Sequence, residues 1–372
     1  MKIAFVSIME GTAWGGSEEL WYRAAKEANK RGFDVCSLTK KWEDIPEKIA
    51  ELGELKVDTL FFRNTSRSLA QRVINNMKIF KVKDYVLPEV HADFYILSQG
   101  GTFDFLYRPQ IMDLILESGK PYMIISQHNA EHGHIVDENS RDAAINFIKG
   151  AKKFCFVSER NRITAERQLA FKFDNTTIIS NPSTLKQVGI KEFKDADKLI
   201  MACVARLDCD FKGQDILLQV LSASKWKDRP FTLTLYGQGR HQKHLENLIS
   251  FYNLEDKVTI KGHVNNVDNI WSDNHVLILP SISEGTSLAL IEAMLSGRTA
   301  VVTDVGDSNV YVKNGETGFL ADSASLNAME NALEALWKNR ESIRQLGING
   351  FQNALEKTNL FPEVTLLSYI NE

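Results

Sequence analysis

The feature that most constrains this fold is the alternation of short, continuously apolar runs with helical patterns. The first half contains runs such as IAFVSI and DFYILS, and the second half contains LIMACVA and HVLILP. An unbroken apolar run predicts a strand that is covered on both faces, as in a parallel sheet. Strands that alternate with helices indicate βαβ units. We therefore expect an α/β protein built from doubly wound sheets.

The length and charge of the chain set further limits. A chain of 372 residues is longer than one ordinary core requires, so we expect two domains. The pattern changes near Asn181-Pro182, where a strand run ends and a polar segment follows. The net charge is −4 and no nucleic-acid-binding motif is present, so we expect no nucleic-acid partner.

Three features predict a cytoplasmic protein. The opening MKIAFVSIME has one lysine and a short β-branched run, which indicates a first strand rather than a signal peptide. No apolar stretch is long enough to span a bilayer. The cysteines lack metal-type or redox-type spacing, so we expect buried free thiols in a reducing compartment.

Glycine-containing turns follow two of the strand runs. Ligands of open parallel sheets bind at the carboxyl ends of strands, so these turns are candidate sites. Gly15-Gly16 leads into Ser17, a good helix N-cap. Two glycines let a backbone approach a phosphate or a sugar, although a plain tight turn would also explain them. Gly237, in the GQG turn after FTLTLY, is a weaker candidate of the same kind.

Two cations bracket the loop after the strand LIMACVA. Arg206 follows the strand, and Lys212 comes six residues later, before an amphipathic helix. A guanidinium fork and an ammonium placed in this way are suited to clamp a diphosphate. The alternative is that both are surface charges paired with Asp208 and Asp210.

The most informative stretch is residues 281–297, SISEGTSLALIEAMLSG. An apolar stripe predicts a helix over residues 286–295, with Glu284 at its mouth and Glu292 two turns in. About eight residues of helix separate the two acids by roughly 12 Å, too far for a shared proton or one metal ion. That distance suits a nucleotide sugar, with Glu284 on the sugar hydroxyls, Glu292 on the ribose and the first helical N–H groups facing the diphosphate.

In combination these motifs resemble those of the GT-B retaining glycosyltransferases often called family 4. The features that match are the E-x7-E pair Glu284 and Glu292, Arg206 and Lys212 in RL…KG, GGSE, and the tail GRTAVVTDVGDSNVYVKNGETGFL. The similarity runs from about residue 198 to 321. In the first half it is carried mainly by GGSE, VSER and NPSTL.

The resemblance implies two Rossmann-like domains that face a central cleft. Residues 1–185 would form an acceptor-binding domain and 186–354 a nucleotide-sugar-binding domain, with 355–372 crossing back to the first domain. The implied reaction moves a hexosyl group from a UDP- or GDP-sugar to a glycan, lipid-linked or small-molecule acceptor, as in polysaccharide biosynthesis. It needs no metal or other cofactor, and UDP is favoured on frequency.

The motifs and the resemblance together define the candidate site residues. The catalytic candidates are Arg206, Lys212, Glu284 and His128, the last of which would contact the donor sugar or the acceptor. The substrate-binding candidates are Gly15, Gly16, Gly237, Val264, Thr286, Ser287, Leu288 and Glu292. Thr286 or Ser287 is expected to cap the helix. Both stand where the family usually has Phe-Gly, which leaves the identity of the sugar open.

Other interpretations remain at this point. His128, Glu131, His132 and His134 offer a metal-binding alternative, because histidines one helical turn apart share a face. A GT-B-like nucleotide-sugar epimerase and a non-catalytic two-domain sugar-binding protein are alternative functions. Product analysis distinguishes them, since only a transferase releases nucleoside diphosphate when an acceptor is present.

Residues 59–83 contain basic side chains and no acidic ones, with an apolar stripe at helical spacing. A basic amphipathic helix of this kind lies on anionic lipid, which would allow peripheral contact with the inner face of a membrane. The alternative is an ordinary domain helix with a solvated basic face.

Overall fold

The chain forms two compact units. The computed structural model describes residues 1–9, 13–64, 85–129, 135–194 and 196–372. The first unit comprises Met1–Pro182 and Phe361–Glu372, and the second comprises Ser183–Leu360. These limits differ by a few residues from the predicted ones, 185 and 354. The roles assigned to the two domains stay predictions.

The first unit is a sheet with helices on both faces. Its strands are β1 (Lys2–Ser7), β2 (Asp34–Lys40), β3 (Asp58–Asn64), β4 (Tyr85–Val86), β5 (Phe94–Gly101), β6 (Tyr122–His128), β7 (Lys153–Phe156) and β8 (Thr176–Ile178). Its helices are α1 (Glu19–Lys30), α2 (Glu47–Glu54), α3 (Pro109–Glu117), α4 (Glu138–Gly150), α5 (Glu159–Leu169) and, beyond the second unit, α15 (Pro362–Ser368).

In the described part of this unit, eight strands lie in the order β4-β3-β2-β1-β5-β6-β7-β8. The strands pair in parallel, except that β4 is antiparallel to β3. Because β1 has β2 on one side and β5 on the other, the direction of winding reverses beside β1. Such a reversal opens a crevice at the carboxyl ends of the strands.

The second unit has the same architecture. Its strands are β9 (Leu199–Val204), β10 (Phe231–Tyr236), β11 (Val258–Gly262), β12 (Val276–Leu279), β13 (Thr299–Thr303) and β14 (Gly318–Ala321). Its helices are α6 (Cys209–Lys212), α7 (Gln214–Leu221), α8 (Ser224–Lys227), α9 (Gln242–Phe251), α10 (Val267–Asp273), α11 (Leu288–Met294), α12 (Ser308–Tyr311), α13 (Leu326–Lys338) and α14 (Ile343–Lys357).

The strand order in the second unit is β11-β10-β9-β12-β13-β14, and the strands pair in parallel. The prediction of two doubly wound α/β units is therefore confirmed. Strand β12 illustrates why a continuous apolar run predicts a buried strand. All four of its residues are at most 3% exposed. The winding of the second sheet reverses between β9 and β12, and this reversal positions the crevice of this unit.

Helix α15 returns the chain to the first unit. Leu366, Leu367 and Ile370 are buried in the same apolar cluster as Leu20 and Trp21 of α1. Residues 361–372 thus complete the core on one face of the first sheet.

The four cysteines, Cys36, Cys155, Cys203 and Cys209, are buried and form no disulfide. Burial raises the pKa of the Cys203 thiol to about 12. Among the described residues, none of the helices has both the length and the apolarity needed to cross a bilayer. Of the basic segment 59–83, residues 59–64 belong to β3, and the rest lies outside the described residues.

Candidate functional site

The loops that follow β9 and β12 lie side by side at the crevice of the second unit. The two strands are neighbours, with Val276 of β12 opposite Met201 of β9. Backbone hydrogen bonds also join the loops, since Ile282 N and Ser283 N donate to Phe211 O at 2.9 and 3.3 Å. The fold thereby brings the sequence around Arg206 and Lys212 next to that around Glu284.

Lys212 and Glu284 form an ion pair between these two loops. Lys212 Nζ lies 2.6 Å from Glu284 Oε1, and the two side chains are 19% and 11% exposed. The Ser281 hydroxyl donates to the same oxygen at 2.7 Å. Glu284 Oε1, which we expected to accept from a sugar hydroxyl, therefore already has two donors within the protein.

Gly213 allows Lys212 to reach this position. Helix α6 ends at Gly213, whose φ of 59° lies in the left-handed region. A Cβ at this residue would lie only 2.3 Å from the carbonyl oxygen of Pro280. A glycine is required because a side chain would push the two loops apart and separate the ion pair.

Arg206 has an acidic partner of its own. Its Nη2 lies 3.3 Å from Asp208 Oδ2, and 43% of its side chain is exposed. Asp208 is buried and also accepts from Arg240 Nη2 at 3.0 Å. The sequence left open that Arg206 and Lys212 are surface charges paired with Asp208 and Asp210. Arg206 does pair with Asp208, whereas Lys212 pairs with Glu284 instead. Sequence reasoning missed Arg240 and Ser281, which no motif marks.

Helix α11 is shorter than the sequence predicted. It spans Leu288–Met294 instead of residues 286–295. Ser287 is its N-cap and accepts from Leu290 N at 3.4 Å, as one of the two proposed caps. Thr286 lies before the helix, and its hydroxyl donates to Asp307 Oδ2 at 3.2 Å.

The loop after β13 covers the start of this helix. Asp307 N donates to Gly285 O at 3.3 Å. Gly306 has a φ of 54°, and a Cβ on it would lie 1.9 Å from Gly285 O. The GD pair in the tail motif therefore packs directly on the turn that contains Glu284 and Thr286. The tail motif resembles that of family 4, but the sequence does not predict that Gly306 and Asp307 contact Gly285.

Glu292 is buried at 4% exposure, and the segment that begins the second unit holds it. Thr184 donates to Glu292 Oε1 twice, from its amide at 2.8 Å and from its hydroxyl at 2.7 Å. The sequence carries no signal for this pairing, because 108 positions separate the two residues. The expectation that Glu292 contacts a ribose stays a prediction.

The remaining candidates of the second unit lie close to the same edge. Gly237 has a φ of 131°, and a Cβ there would lie 2.1 Å from Ala205 O, so close packing against the loop after β9 explains this glycine. Val264 follows β11 and packs, half-buried, against the core. Leu288 is the half-buried first residue of α11.

In the first unit, the Gly15-Gly16 turn lies after β1, at the edge where its winding reverses. Gly15 is extended, and Gly16–Glu18 form a 3₁₀ turn that continues into α1. The expectation that Ser17 caps α1 is wrong, because Ser17 lies inside this turn and Glu18 occupies the N-cap position of α1 without a side-chain cap hydrogen bond. A role of the two glycines in ligand binding stays a prediction.

Glu18 is the unexpected feature of this turn. It is 5% exposed, and its Oε2 accepts from the Ser7 hydroxyl and from Trp21 Nε1, both at 2.8 Å. Burial raises the pKa of this carboxyl to about 7. Glu18 is therefore a buried hydrogen-bonding group at this turn.

Comparison with known proteins identifies the family. Residues 189–353 match the family described as Glycosyl transferases group 1. A glycosyltransferase of Haemophilus influenzae is 31% identical over 362 residues, which is 93% of this chain and 93% of that protein. The chain belongs to this glycosyltransferase family.

Two further proteins are similar to this glycosyltransferase, one in its sequence and one in its structure. An Escherichia coli protein named UDP-Gal:alpha-D-GlcNAc-diphosphoundecaprenol alpha-1,3-galactosyltransferase is 26% identical over 145 residues, or 37% of each chain. The crystal structure of Anabaena HepE with UDP-glucose has a TM-score of 0.73, with 17% identity over 100% of this chain and 99% of that one. The glycosyltransferase has the GT-B fold of such structures.

His128 is the last residue of β6, at the carboxyl edge of the first sheet of the glycosyltransferase. Its carbonyl oxygen accepts from the Thr102 hydroxyl at 3.1 Å. Its possible metal-binding partners, Glu131, His132 and His134, lie outside the described residues. That metal-binding alternative therefore stays untested.

In the part of the glycosyltransferase that the structure describes, one group of potential metal ligands stands close together. The ligand atoms of Asp208, Asp210 and His241 lie within 4.8 Å of one another. Arg240 donates to both carboxylates, and Cys209 N donates to His241 Nδ1 at 3.0 Å. Each of the three side chains thus already accepts a hydrogen bond from a donor within the protein.

Proposed function

We propose that this glycosyltransferase transfers a hexosyl group from a UDP-sugar to a glycan or lipid-linked acceptor with retention of configuration. The observation that carries the proposal is the partly buried Lys212–Glu284 pair at the crevice of the second unit. A fixed cation at the carboxyl edge of a parallel sheet meets the anionic group of a nucleotide ligand. The second cation, Arg206, follows the adjacent strand β9.

The leaving group requires these cations. Negative charge develops on the diphosphate as the bond between the anomeric carbon and the phosphate oxygen breaks. Lys212 and Arg206 would then exchange part of their contact with Glu284 and Asp208 for phosphate oxygens. Charges that are already oriented stabilise such a transition state most, because they need no reorganisation. Glu284 in this proposal positions Lys212.

Retention follows if attack and departure take place on the same face of the sugar. The acceptor hydroxyl oxygen forms the new bond to the anomeric carbon, and its proton passes to the leaving phosphate oxygen. The products are the glycoside and UDP, and the proton and charge balance without an enzyme nucleophile. His128 is proposed to contact the sugar or the acceptor, and no metal is needed because lysine and arginine supply the positive charge.

Two similar proteins support the choice of donor and acceptor. HepE was crystallised with UDP-glucose, and the E. coli relative is named for UDP-Gal and for a diphosphoundecaprenol-linked acceptor. We extend both features to this chain, with Glu292 accepting from the ribose hydroxyls. Peripheral membrane contact through residues 59–83 would suit a lipid-linked acceptor and would be seen as flotation with anionic vesicles.

The donor can be tested by binding. In a thermal-shift screen of UDP, GDP and their hexose conjugates, the cognate nucleotide at about 100 times its Kd stabilises the protein by roughly 2.7 kcal/mol. We expect UDP and one UDP-sugar to raise the Tm in the presence of EDTA. A shift with GDP alone would move the proposal to GDP-sugars.

The reaction itself can be tested by product analysis. With donor and acceptor in EDTA, we expect UDP release that depends on the acceptor, and a glycoside whose anomeric configuration by NMR equals that of the donor. Inversion, or a need for added metal, would contradict the mechanism. Interconversion of the donor sugar without acceptor would identify an epimerase instead.

A further inference from the structure

The second unit begins with a segment, residues 183–194, that forms neither a helix nor a strand. We call it the entry segment. A segment without backbone pairing of its own keeps its shape through contacts with its surroundings. Thr184, which donates twice to the buried Glu292, lies near the start of the entry segment. The orientation of Glu292 therefore depends on what holds this segment in place.

The second half of the entry segment is held by the loop that follows α11. Lys191 N donates to Ser296 O at 3.0 Å. The buried guanidinium of Arg298 donates to Lys191 O at 3.2 Å and to Glu192 O at 2.5 Å. These bonds fix the part of the segment that is far from Thr184 in the chain, so Thr184 itself needs a closer attachment.

Asp268, at the start of α10, provides an attachment close to Thr184. Its Oδ2 accepts from the amide of Lys186, which follows Thr184 closely in the chain, at 2.9 Å. Its Oδ1 lies 2.7 Å from Lys191 Nζ, and the side chains of Asp268 and Lys191 are 16% and 15% exposed. Lys191 Nζ also donates to Gln187 O at 2.9 Å. The carboxylate thus joins the two halves of the entry segment.

The charge of Asp268 is kept by this arrangement. Burial on its own would raise the pKa of the Asp268 carboxyl, but the hydrogen bonds from Lys191 and Lys186 lower it below its ordinary value. Asp273, at the end of the same helix, differs in exposure. It pairs with Lys194 at 2.8 Å, and 49% and 56% of the two side chains are exposed. Partly buried pairs are screened less than exposed ones, so we expect Asp268 to hold the segment more firmly.

We propose that Asp268 is a positioning residue for nucleotide binding, which keeps Thr184 directed at Glu292 by holding Lys186 and Lys191. Glu292 is then already oriented when the nucleotide arrives, and less ordering has to accompany binding. Asp268 acts through Thr184 and Glu292 and makes no contact with the ligand. The inference rests on the proposed function, in which Glu292 accepts from the ribose hydroxyls.

The test compares the intact wild-type protein with Asp268→Ala by calorimetry, with UDP and with dideoxyuridine diphosphate as ligands. The dideoxy nucleotide lacks both ribose hydroxyls, so its binding does not depend on the orientation of Glu292. We expect Asp268→Ala to weaken UDP binding about five-fold and to leave the binding of the dideoxy nucleotide unchanged. A merely structural role of Asp268 would weaken the binding of both ligands by the same factor.

Asp268→Asn keeps the test decisive if the alanine variant misfolds. Asparagine has a similar volume and retains an oxygen for Lys186 N, but it lacks the charge that holds Lys191. We expect UDP binding to weaken roughly two-fold in this variant. In steady-state assays, both variants should raise KM for the UDP-sugar and leave kcat near that of wild type, because a ribose contact is the same in the ground and transition states.

Asp273→Ala is the matched control. It removes the exposed pair with Lys194, which joins the other end of α10 to the other end of the entry segment. We expect this variant to bind both nucleotides as wild type does. A loss of UDP affinity equal to that of Asp268→Ala would contradict a specific role of Asp268.

The outcomes separate this inference from the proposed function. A wild type that prefers UDP to the dideoxy nucleotide, with the preference reduced in Asp268→Ala, supports the positioning role. The same preference in both proteins overturns that role alone. Equal affinity of the wild type for the two nucleotides would refute the ribose contact of Glu292 and the positioning role with it. A wild type that binds neither nucleotide nor a UDP-sugar would refute the proposed function itself.

Discussion

Both units hold an acidic side chain at the carboxyl edge of a parallel sheet, buried in the first and partly buried in the second, but the charges around the two carboxyls differ. In the second unit, Glu284 has the ammonium of Lys212 at 2.6 Å. In the first unit, Glu18 has two neutral donors, Ser7 and Trp21, and burial raises the pKa of its carboxyl to about 7. The same topology thus supports an ion pair in one unit and a near-neutral acid in the other.

The different surroundings of Glu284 and Glu18 indicate what kind of group each sheet edge can bind. A paired lysine keeps its charge and is positioned to interact with an anion, which is why we propose that the second unit binds the diphosphate. A desolvated carboxyl bonded to neutral donors acts as a hydrogen-bonding group rather than as a fixed charge. The contrast agrees with the proposed division between a charged donor and a hydroxyl-bearing acceptor.

The largest effect is expected from Lys212→Ala. Removing the cation takes away stabilisation of the developing diphosphate charge, so kcat should fall about 10²–10³-fold. Steady-state assays of UDP release measure this change, and circular dichroism checks that the fold is intact. Near-wild-type turnover would mean that Lys212 does not stabilise the developing charge. The carboxyl edges of the two sheets would then not differ in electrostatic role.

Lys225→Ala is the matched control for that experiment. Lys225 is another ion-paired lysine of the second unit, but it is 44% exposed and contacts Glu330 and Glu334 on the surface. Exposed pairs contribute about 0–1 kcal/mol to stability. We expect this variant to retain wild-type kcat.

A smaller effect is expected on the pH dependence of stability through Glu18. Its pKa rises on folding from 4.5 to about 7, so the folded state binds the proton more tightly than the unfolded state. The stabilisation is present at low pH and is lost as pH rises through about 7. Between pH 5 and pH 8, the free energy of unfolding of wild type should fall by roughly 2 kcal/mol more than that of Glu18→Gln.

Urea melts of both proteins at the two pH values measure this difference. The glutamine variant serves as the control, because it cannot ionise and retains an oxygen and a similar volume. Parallel changes in wild type and variant would mean that folding does not raise the pKa of the Glu18 carboxyl.

The smallest effect is expected from Thr184→Val. The variant loses the hydroxyl bond to Glu292 but keeps the amide bond, so the carboxylate becomes less firmly oriented. A hydrogen bond to a charged group is worth about 1.5–3 kcal/mol, and we expect roughly ten-fold weaker UDP binding by calorimetry. Thr184→Ser should restore it. Unchanged UDP affinity would argue against a ribose contact at Glu292.

Much of the fold was predictable because it depends on local patterns. The continuous apolar runs predicted most of the strands, although not β4 and β14, and the βαβ alternation made their carboxyl ends the place where we predicted a site. Arg206, Lys212 and Glu284 were found in this way. Ser287 was one of two caps predicted at the start of the apolar stripe, and it is the cap in the structure.

The partners of these residues could not be predicted, because tertiary packing sets them. Lys212 and Glu284 are 72 positions apart, and their contact depends on how closely Gly213 approaches Pro280. The start of α11 was placed too early because Asp307, on a separate loop, engages Thr286.

Helix α15 has a consequence for how the protein forms during synthesis. Residues 361–372 belong to the core of the first unit, yet the ribosome makes them only after the whole of 183–360. At about 5–20 residues per second, the nascent first unit waits roughly 10–40 s with part of the apolar face of α1 uncovered. The second unit has all of its residues earlier, so it can complete its core first, and the exposed face of α1 is where a chaperone would bind the growing chain.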